Sequence, residues 1–142
     1  MQIFEAERID DEVLDALARL LPQLCNAPAP TRAALEDMLA GGTRLFLARA
    51  DDGRIAGSAA LAVYRTPTGR HAWIEDVVVD EDHRRQGIGA ALSRAALQAA
   101  RSMGVQSLSL TSRPARAAAN RLYQHLGFVA WNTNLYRYPL DE

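Results

Sequence analysis

The sequence predicts a mixed α/β (α+β) domain, with a mainly antiparallel central sheet and flanking helices in the order β-α-α-β-β-β-α-β-α-β-β. Three observations lead there. An Asp52-Gly53 step separates two apolar, strand-like runs, a hairpin signal because glycine accepts the positive φ that tight turns need. A β-branched run, Val77-Val78-Val79, passes through a polar loop with two close glycines directly into a helical pattern. Pro114 and Gly127 bracket a later helical pattern in the places where proline starts and glycine ends a helix.

Taken in order, residues 2–8 read as a short strand. Residues 9–24 carry Val13, Leu14, Leu17, Leu20, Leu21 and Leu24 at helical spacing, with Asp10 or Asp11 as N-cap. Two prolines break the chain over 26–30, and Thr31 opens a second helix through Ala40, ended by Gly41-Gly42. Strands follow over 44–50, 55–64 and 72–80, the last two joined by the turn Thr66-Pro67-Thr68-Gly69. A long helix over 87–103 is closed by Gly104. Then come a strand over 105–110, a helix over 114–126, and two closing strands over 128–131 and 135–140.

The 142 residues suit one domain spanning 1–142. Hydrophobic residues at 49% are enough for a core, and 16 basic against 17 acidic residues leave a net charge of -1. That balance gives no electrostatic reason to bind nucleic acid or a charged membrane surface. No apolar run approaches the ~20 residues of a membrane span, and the N-terminus has no basic segment followed by an apolar one. The single cysteine, Cys25, follows an apolar run and is expected as a small buried hydrophobe. A reducing cytoplasm is the expected location.

The chemistry concentrates in residues 77–92. The first amides of a helix lack intrahelical partners, and the helix dipole adds partial positive charge, so a glycine-bearing entry to a helix is an anion site. Arg84 and Arg85 add formal charge. A phosphate-binding P-loop would need a lysine that is absent here, and a dinucleotide fingerprint would need a third glycine where Leu92 stands.

The pattern present, Arg84-x-x-Gly87-x-Gly89, closely resembles the acetyl-CoA signature of the GNAT superfamily of N-acetyltransferases. A second stretch, Ala119-Asn120-Arg121-Leu122-Tyr123-Gln124-His125-Leu126-Gly127-Phe128, is similar to that superfamily's later helix. With the element order, the resemblance covers nearly the whole chain. It implies the GNAT fold, acetyl-CoA as cosubstrate, an amine acceptor and no metal. The pantetheine arm is expected to pair with the backbone of Val77, Val78 and Val79, where two parallel strands splay apart. The pyrophosphate is expected on the backbone of Arg85, Gln86, Gly87, Ile88, Gly89 and Ala90, helped by the Arg84 side chain. Tyr123 matches the tyrosine that protonates the departing thiolate, and Asn120 lies on the same helix face as a further cofactor contact. The family's usual asparagine seven residues before that tyrosine is Arg116 here, which leaves that contact open.

Attack on a thioester requires a deprotonated amine. Glu75 is the expected base, on the strand leading to the cofactor. Asp76, a water relay, His71, His83 and His125 are alternatives, and pairing with Arg70 would instead give Glu75 a structural role. Strict strand alternation would let only one of Glu75 and Asp76 face the cleft. The resemblance implies direct transfer in a ternary complex without an acyl-enzyme.

The acceptor is not written in the sequence. The family sets it in 10–42 and 64–73, where Arg65 and Arg70 could meet an acidic or phosphorylated group. The phrase Ile74–Asp80 is similar to that strand in glucosamine-6-phosphate N-acetyltransferases and also occurs in relatives of other activity. A small-molecule amine is the leading expectation. Acetylation of a protein, or a non-catalytic acetyl-CoA sensor, are the alternatives. Dimerisation is common in the family, and the two closing strands could mediate a homodimer.

Overall fold

The computed structural model describes residues 1–141 and divides into two compact units, Met1–Thr111 and a second from Ser112 onward. The first contains strands β1 (Gln2–Glu5), β2 (Arg44–Arg49), β3 (Ile55–Thr66), β4 (Gly69–Val79) and β5 (Ser107–Ser109), with helices α1 (Asp11–Leu20), α2 (Arg32–Ala40) and α3 (Ile88–Ser102). The sheet runs β1-β2-β3-β4-β5; every neighbouring pair is antiparallel except β4 with β5. The predicted fold class holds.

Local chemistry sets the helices. The Asp10 carboxylate accepts from the Val13 amide at 2.9 Å and so caps α1, while the Thr31 hydroxyl accepts from Ala34 at 3.1 Å and caps α2. The expected first helix ends earlier than its apolar spacing suggested. Pro22 cannot donate a helical hydrogen bond, and Leu21–Gln23 tightens into a 3-10 turn. Val13, Ala16, Leu17 and Leu20 are the buried stripe of α1, and they pack on Leu45, Leu47, Ile55 and Val78 of the sheet. Helix α3 lies against the other face, burying Ile88, Leu92, Ser93, Ala96 and Ala100. Small residues let it approach closely: a Cβ on Gly57 of β3 would stand 2.8 Å from Ile88 Cγ2 and 3.0 Å from Leu92 Cδ1.

The pairing of β3 with β4 contains a bulge. Ser58 opposes Val78, but Ala60 opposes Glu75, so β4 spends one more residue than β3 over that interval. Asp76 absorbs it with φ of 53°, the left-handed region that an aspartate tolerates better than most side chains. The premise of strict alternation between Glu75 and Asp76 therefore fails at this place. The parallel pairing of β4 with β5 covers only His71↔Ser107, Ala72↔Leu108 and Trp73↔Ser109. Beyond Trp73, no β5 residue pairs with the rest of β4 among the described residues.

The second unit holds α4 (Ala117–His125). Pro114 stands before this helix rather than in its first turn: the chain makes a separate turn, Arg116 N–H to Arg113 carbonyl at 3.0 Å, and Arg116 is the N-cap. The two closing strands expected over 128–131 and 135–140 do not form, and the chain carries no strand from 128 to 141. Val129, Trp131, Leu135, Tyr136, Tyr138 and Leu140 are instead 68–85% exposed. Their composition is strand-like, but strand propensity expresses fit to a pleated, half-buried surface, and these residues have no such surface here.

Candidate active site

The site elements of the first unit are the end of β4, the loop 80–87 and the start of α3. Asp80, 3% exposed, fixes the loop at its root. Its amide donates to the Ala56 carbonyl at 2.8 Å, and its carboxylate accepts from Arg19 at 2.7 Å and from the Asp82 amide at 3.1 Å. Burial pushes the Asp80 carboxyl up, but the Asp82 amide and nearby charges, Arg19 foremost, outweigh it and hold the group below the usual carboxylate range. His83 is buried beside it, with Nε2 2.7 Å from Asp52 Oδ2 of the β2–β3 turn. This alternative base is thus engaged in tying two loops together.

The loop then turns twice through the left-handed region, at Arg85 (φ 65°) and at Gly87 (φ 79°), before α3 begins. Gly87 is the N-cap but offers no side chain, no acidic residue stands in the first turn, and the first helical bond runs from Ala91 to the Gly87 carbonyl at 3.0 Å. The amides of Ile88, Gly89 and Ala90 are therefore left without intrahelical partners and carry the positive end of a 15-residue helix. Arg84, Arg85 and Gln86 are exposed around them, and neither arginine makes an ion pair among the described residues. The Ile88 side chain is in the core at 2% exposure, so only its backbone is available to a ligand.

The residues expected for the pantetheine arm lie where β4 has run past β5. Val78 is buried and opposes Ser58, Val79 opposes Gly57, and Val77 belongs to the bulged stretch. Their side chains serve the sheet and core, while the edge of β4 that β5 does not reach leaves backbone groups for an extended ligand. A loop of unpaired helix amides beside an unpaired strand edge suits a molecule with a pyrophosphate and an amide-bearing arm.

Glu75 and Asp76 are both exposed. The expected alternative partner of Glu75, Arg70, donates instead to the Met103 carbonyl at 2.9 Å. His71 is occupied by hydroxyls, with Ser107 Oγ 2.7 Å from Nδ1 and Thr66 Oγ1 3.0 Å from Nε2. A cavity of ≈ 330 Å³ lies under α1 and α2, and Ala60, which opposes Glu75, lines it together with Asp76. Cys25 also lines this cavity and is exposed, contrary to the buried position expected for it. The 3-10 turn at Pro22 carries it out of the helical stripe. A second, open depression of ≈ 400 Å³ is lined by Glu12, Asp15, Arg19 and Arg54 among others, and by no residue of β4 or the 81–90 segment.

In the second unit, Tyr123 is buried at 7% exposure and meets Phe128 edge-on, ring centroids 6.0 Å apart. Burial pushes its hydroxyl pKa up, with the Arg116 charge pulling the other way. Asn120 gives its amide N–H groups to the Arg113 and Arg116 carbonyls, both at 2.9 Å, which leaves only its Oδ1 for any ligand. That role was invisible in the motif, where Asn120 stands simply three residues before Tyr123. His125 lies exposed at the end of α4.

Residues 11–128 match the Acetyltransferase (GNAT) family, a span that crosses both units. The chain belongs to this family. The glucosamine 6-phosphate N-acetyltransferase 1 of Oryza sativa subsp. japonica is 32% identical over 148 aligned residues, covering 94% of this chain and 88% of the relative. The [ribosomal protein bS18]-alanine N-acetyltransferase of Escherichia coli K12 is 40% identical over 71 residues, 50% of this chain and 48% of the relative. Other curated relatives are matched over 39%, 21% and 45% of their length, so the chain spans less than half of several of them. The solved structure of a putative acetyltransferase from Agrobacterium tumefaciens str. C58 superposes with a TM-score of 0.82 at 26% identity, covering 98% of this chain and all of that one (100%). Among the described residues of this GNAT chain, no group of three or more His, Cys, Asp or Glu could hold a metal, and no helix is long and apolar enough to cross a membrane.

Proposed function

We propose that the chain, as one functional domain, transfers the acetyl group of acetyl-CoA to the primary amine of a small molecule in a cytoplasmic setting. The observation that carries this reading is the sequence of strand edge, doubly left-handed loop and uncapped helix: β4 outruns β5, Arg85 and Gly87 turn the backbone, and α3 presents three unpaired amides. The backbone of Arg85–Ala90 and the side chain of Arg84 would hold the pyrophosphate, and the β4 edge at Val77–Val79 would hold the pantetheine arm. Bound acetyl-CoA supplies an activated acetyl thioester. Glu75, directly or through water, takes a proton from the ammonium so that the nitrogen can form the new C–N bond as the C–S bond breaks. Tyr123 gives its proton to the departing sulfur, and Asn120 Oδ1 is a further contact. Preorganised backbone donors stabilise the charge that develops on the carbonyl oxygen. No metal enters this scheme.

A second reading, transfer to a protein N-terminus, is favoured by the 40% local identity to the ribosomal-protein alanine N-acetyltransferase. A homodimer through the exposed apolar stretch 128–140 accompanies either reading, and sedimentation velocity of the chain and of Trp131→Asp tests it. The main test is calorimetric titration with acetyl-CoA, followed by product detection across amines, amino sugars and peptides. Binding with amine-dependent product supports the enzyme. Absence of binding sinks it, and binding without any product favours a sensor.

A further inference from the structure

The cavity beneath α1 and α2 has a composition that discriminates among amines. Leu17 and Leu21 line it from α1 and the following turn, Leu35 and Met38 from α2, and Ser58 and Asp76 from the sheet. Among the described residues Asp76 is the one charged residue in the lining, and no arginine, lysine or histidine contributes. At ≈ 330 Å³ it is about twice the ~150 Å³ of an apolar cavity that holds benzene. Its sheet side reaches the β4 bulge, where Ala60 of the lining opposes the candidate base Glu75.

We infer that this cavity is the acceptor site and that it takes a compact apolar primary amine, of the arylalkyl or branched-alkyl kind, with the ammonium against Asp76. The inference rests on the acetyltransferase reading for its chemistry and on the cavity for its selectivity. Burying an apolar body against the leucines is favourable, whereas a sugar would leave hydroxyls unpaired there. A phosphate or carboxylate would meet no cation and would face a carboxylate. Glucosamine 6-phosphate, the acceptor named for the rice relative, is thereby disfavoured in this chain. The left-handed backbone at Asp76 is the kind of local strain that persists where surrounding structure holds a residue for use. The reaction balances as ammonium plus acetyl-CoA giving acetamide, CoA thiol and one proton released to solvent.

Cys25, the chain's single cysteine, lines the cavity and is exposed, so it reports occupancy without any turnover. In the experiment, the intact chain is labelled with a thiol-specific methanethiosulfonate in the presence of 2-phenylethylamine, 3-methylbutylamine or glucosamine 6-phosphate, and the labelling rate is read by mass spectrometry. In parallel, acetylated product is quantified for the same amines with wild type, Ala60→Leu, which fills the cavity, and Asp76→Asn. Circular dichroism and acetyl-CoA titration confirm that each variant is folded and binds cofactor. The expected result is at least fivefold protection of Cys25 by the two apolar amines only. Their kcat/KM should fall at least tenfold in Ala60→Leu, and their KM should rise in Asp76→Asn. Acetyl-CoA binding with no protection by the apolar amines, or with a polar amine or peptide preferred and indifferent to Ala60→Leu, overturns the inference while leaving the acetyltransferase reading intact. Failure to bind acetyl-CoA overturns that reading instead, and the labelling arm still decides what the cavity accepts.

Discussion

Arg19 of α1 grips Asp80 at the root of the loop that leads into α3, Nη1 donating to Oδ2 at 2.7 Å, while its Nη2 donates to the Ile55 carbonyl at 2.7 Å. One guanidinium thus joins a helix, a strand and the candidate pyrophosphate loop. Because the folded Asp80 carboxyl lies below its ordinary value of about 3.9, the ionised form is favoured by folding. Its contribution is present above that unfolded value and is lost as pH falls through the lowered folded one. Asp80→Asn is expected to destabilise the protein at pH 7 by roughly 1–3 kcal/mol, and the gap to wild type should narrow below about pH 4. Thermal melts at pH 7 and pH 3 check both statements. If the gap stays constant with pH, the carboxylate charge is not what holds the loop.

Two glycines separate packing from backbone conformation. At Gly57 an added Cβ would collide with Ile88 and Leu92, so Gly57→Ala must push α3 from the sheet, costing about 1–3 kcal/mol. At Gly87 an added Cβ meets nothing within 4 Å, but φ of 79° is unfavourable for any L side chain by roughly 1–2 kcal/mol. Gly87→Ala should therefore relax the loop and weaken acetyl-CoA binding more than it lowers stability, with Gly57→Ala showing the reverse. Melting temperatures and acetyl-CoA titrations of the two variants distinguish these outcomes.

The order of the first nine elements was legible because local marks delimit them: Asp10 and Thr31 as caps, the prolines of 26–30 as a break, Asp52-Gly53 as a turn, Gly87 and Gly104 at the limits of α3, although the earlier stop at Pro22 was missed. The glycine turn and uncapped entry to α3, the candidate anion cradle, were legible for the same reason, since glycine spacing and the adjacent arginines are local. The bulge at Asp76 was not. It arises from the register between β3 and β4, and no glycine or proline marks it. The cavity was likewise hidden, because its walls come from residues 17 to 76 and meet only in the fold. The stretch 128–140 misled in the opposite way: Trp131, Tyr136 and Tyr138 specify an apolar, strand-like segment, but nothing local specifies an edge for it to join.

Arg84 and Arg85 stand exposed without ion-pair partners among the described residues, beside the unpaired amides of α3. If Arg84 meets a phosphate, Arg84→Ala should raise the acetyl-CoA Kd roughly tenfold, the loss of one charge-assisted hydrogen bond. It should also flatten the dependence of Kd on salt, since an exposed charge pair is screened. Titrations at low and high ionic strength read both. A variant with the wild-type salt slope would assign the arginine to the solvated loop alone.

Tyr123 provides the sharpest distinction between catalysis and mere binding. Burial raises its hydroxyl pKa against the pull of the Arg116 charge, so the phenol remains protonated at neutral pH and is available to give a proton to a thiolate. Removing only the oxygen in Tyr123→Phe should lower kcat by about 100-fold and leave acetyl-CoA affinity unchanged. In wild type kcat should decline only above the ordinary tyrosine range, as the raised phenol ionises, a limb that the phenylalanine variant lacks. Because the folded pKa is raised, the tyrosine's contribution to stability is present below its unfolded value and lost as pH rises through the folded one. A pH profile of kcat for both proteins, with melts recorded alongside, separates the chemical effect from unfolding. If Tyr123→Phe turns over like wild type across that range, the hydroxyl is not the proton donor and solvent must protonate the sulfur.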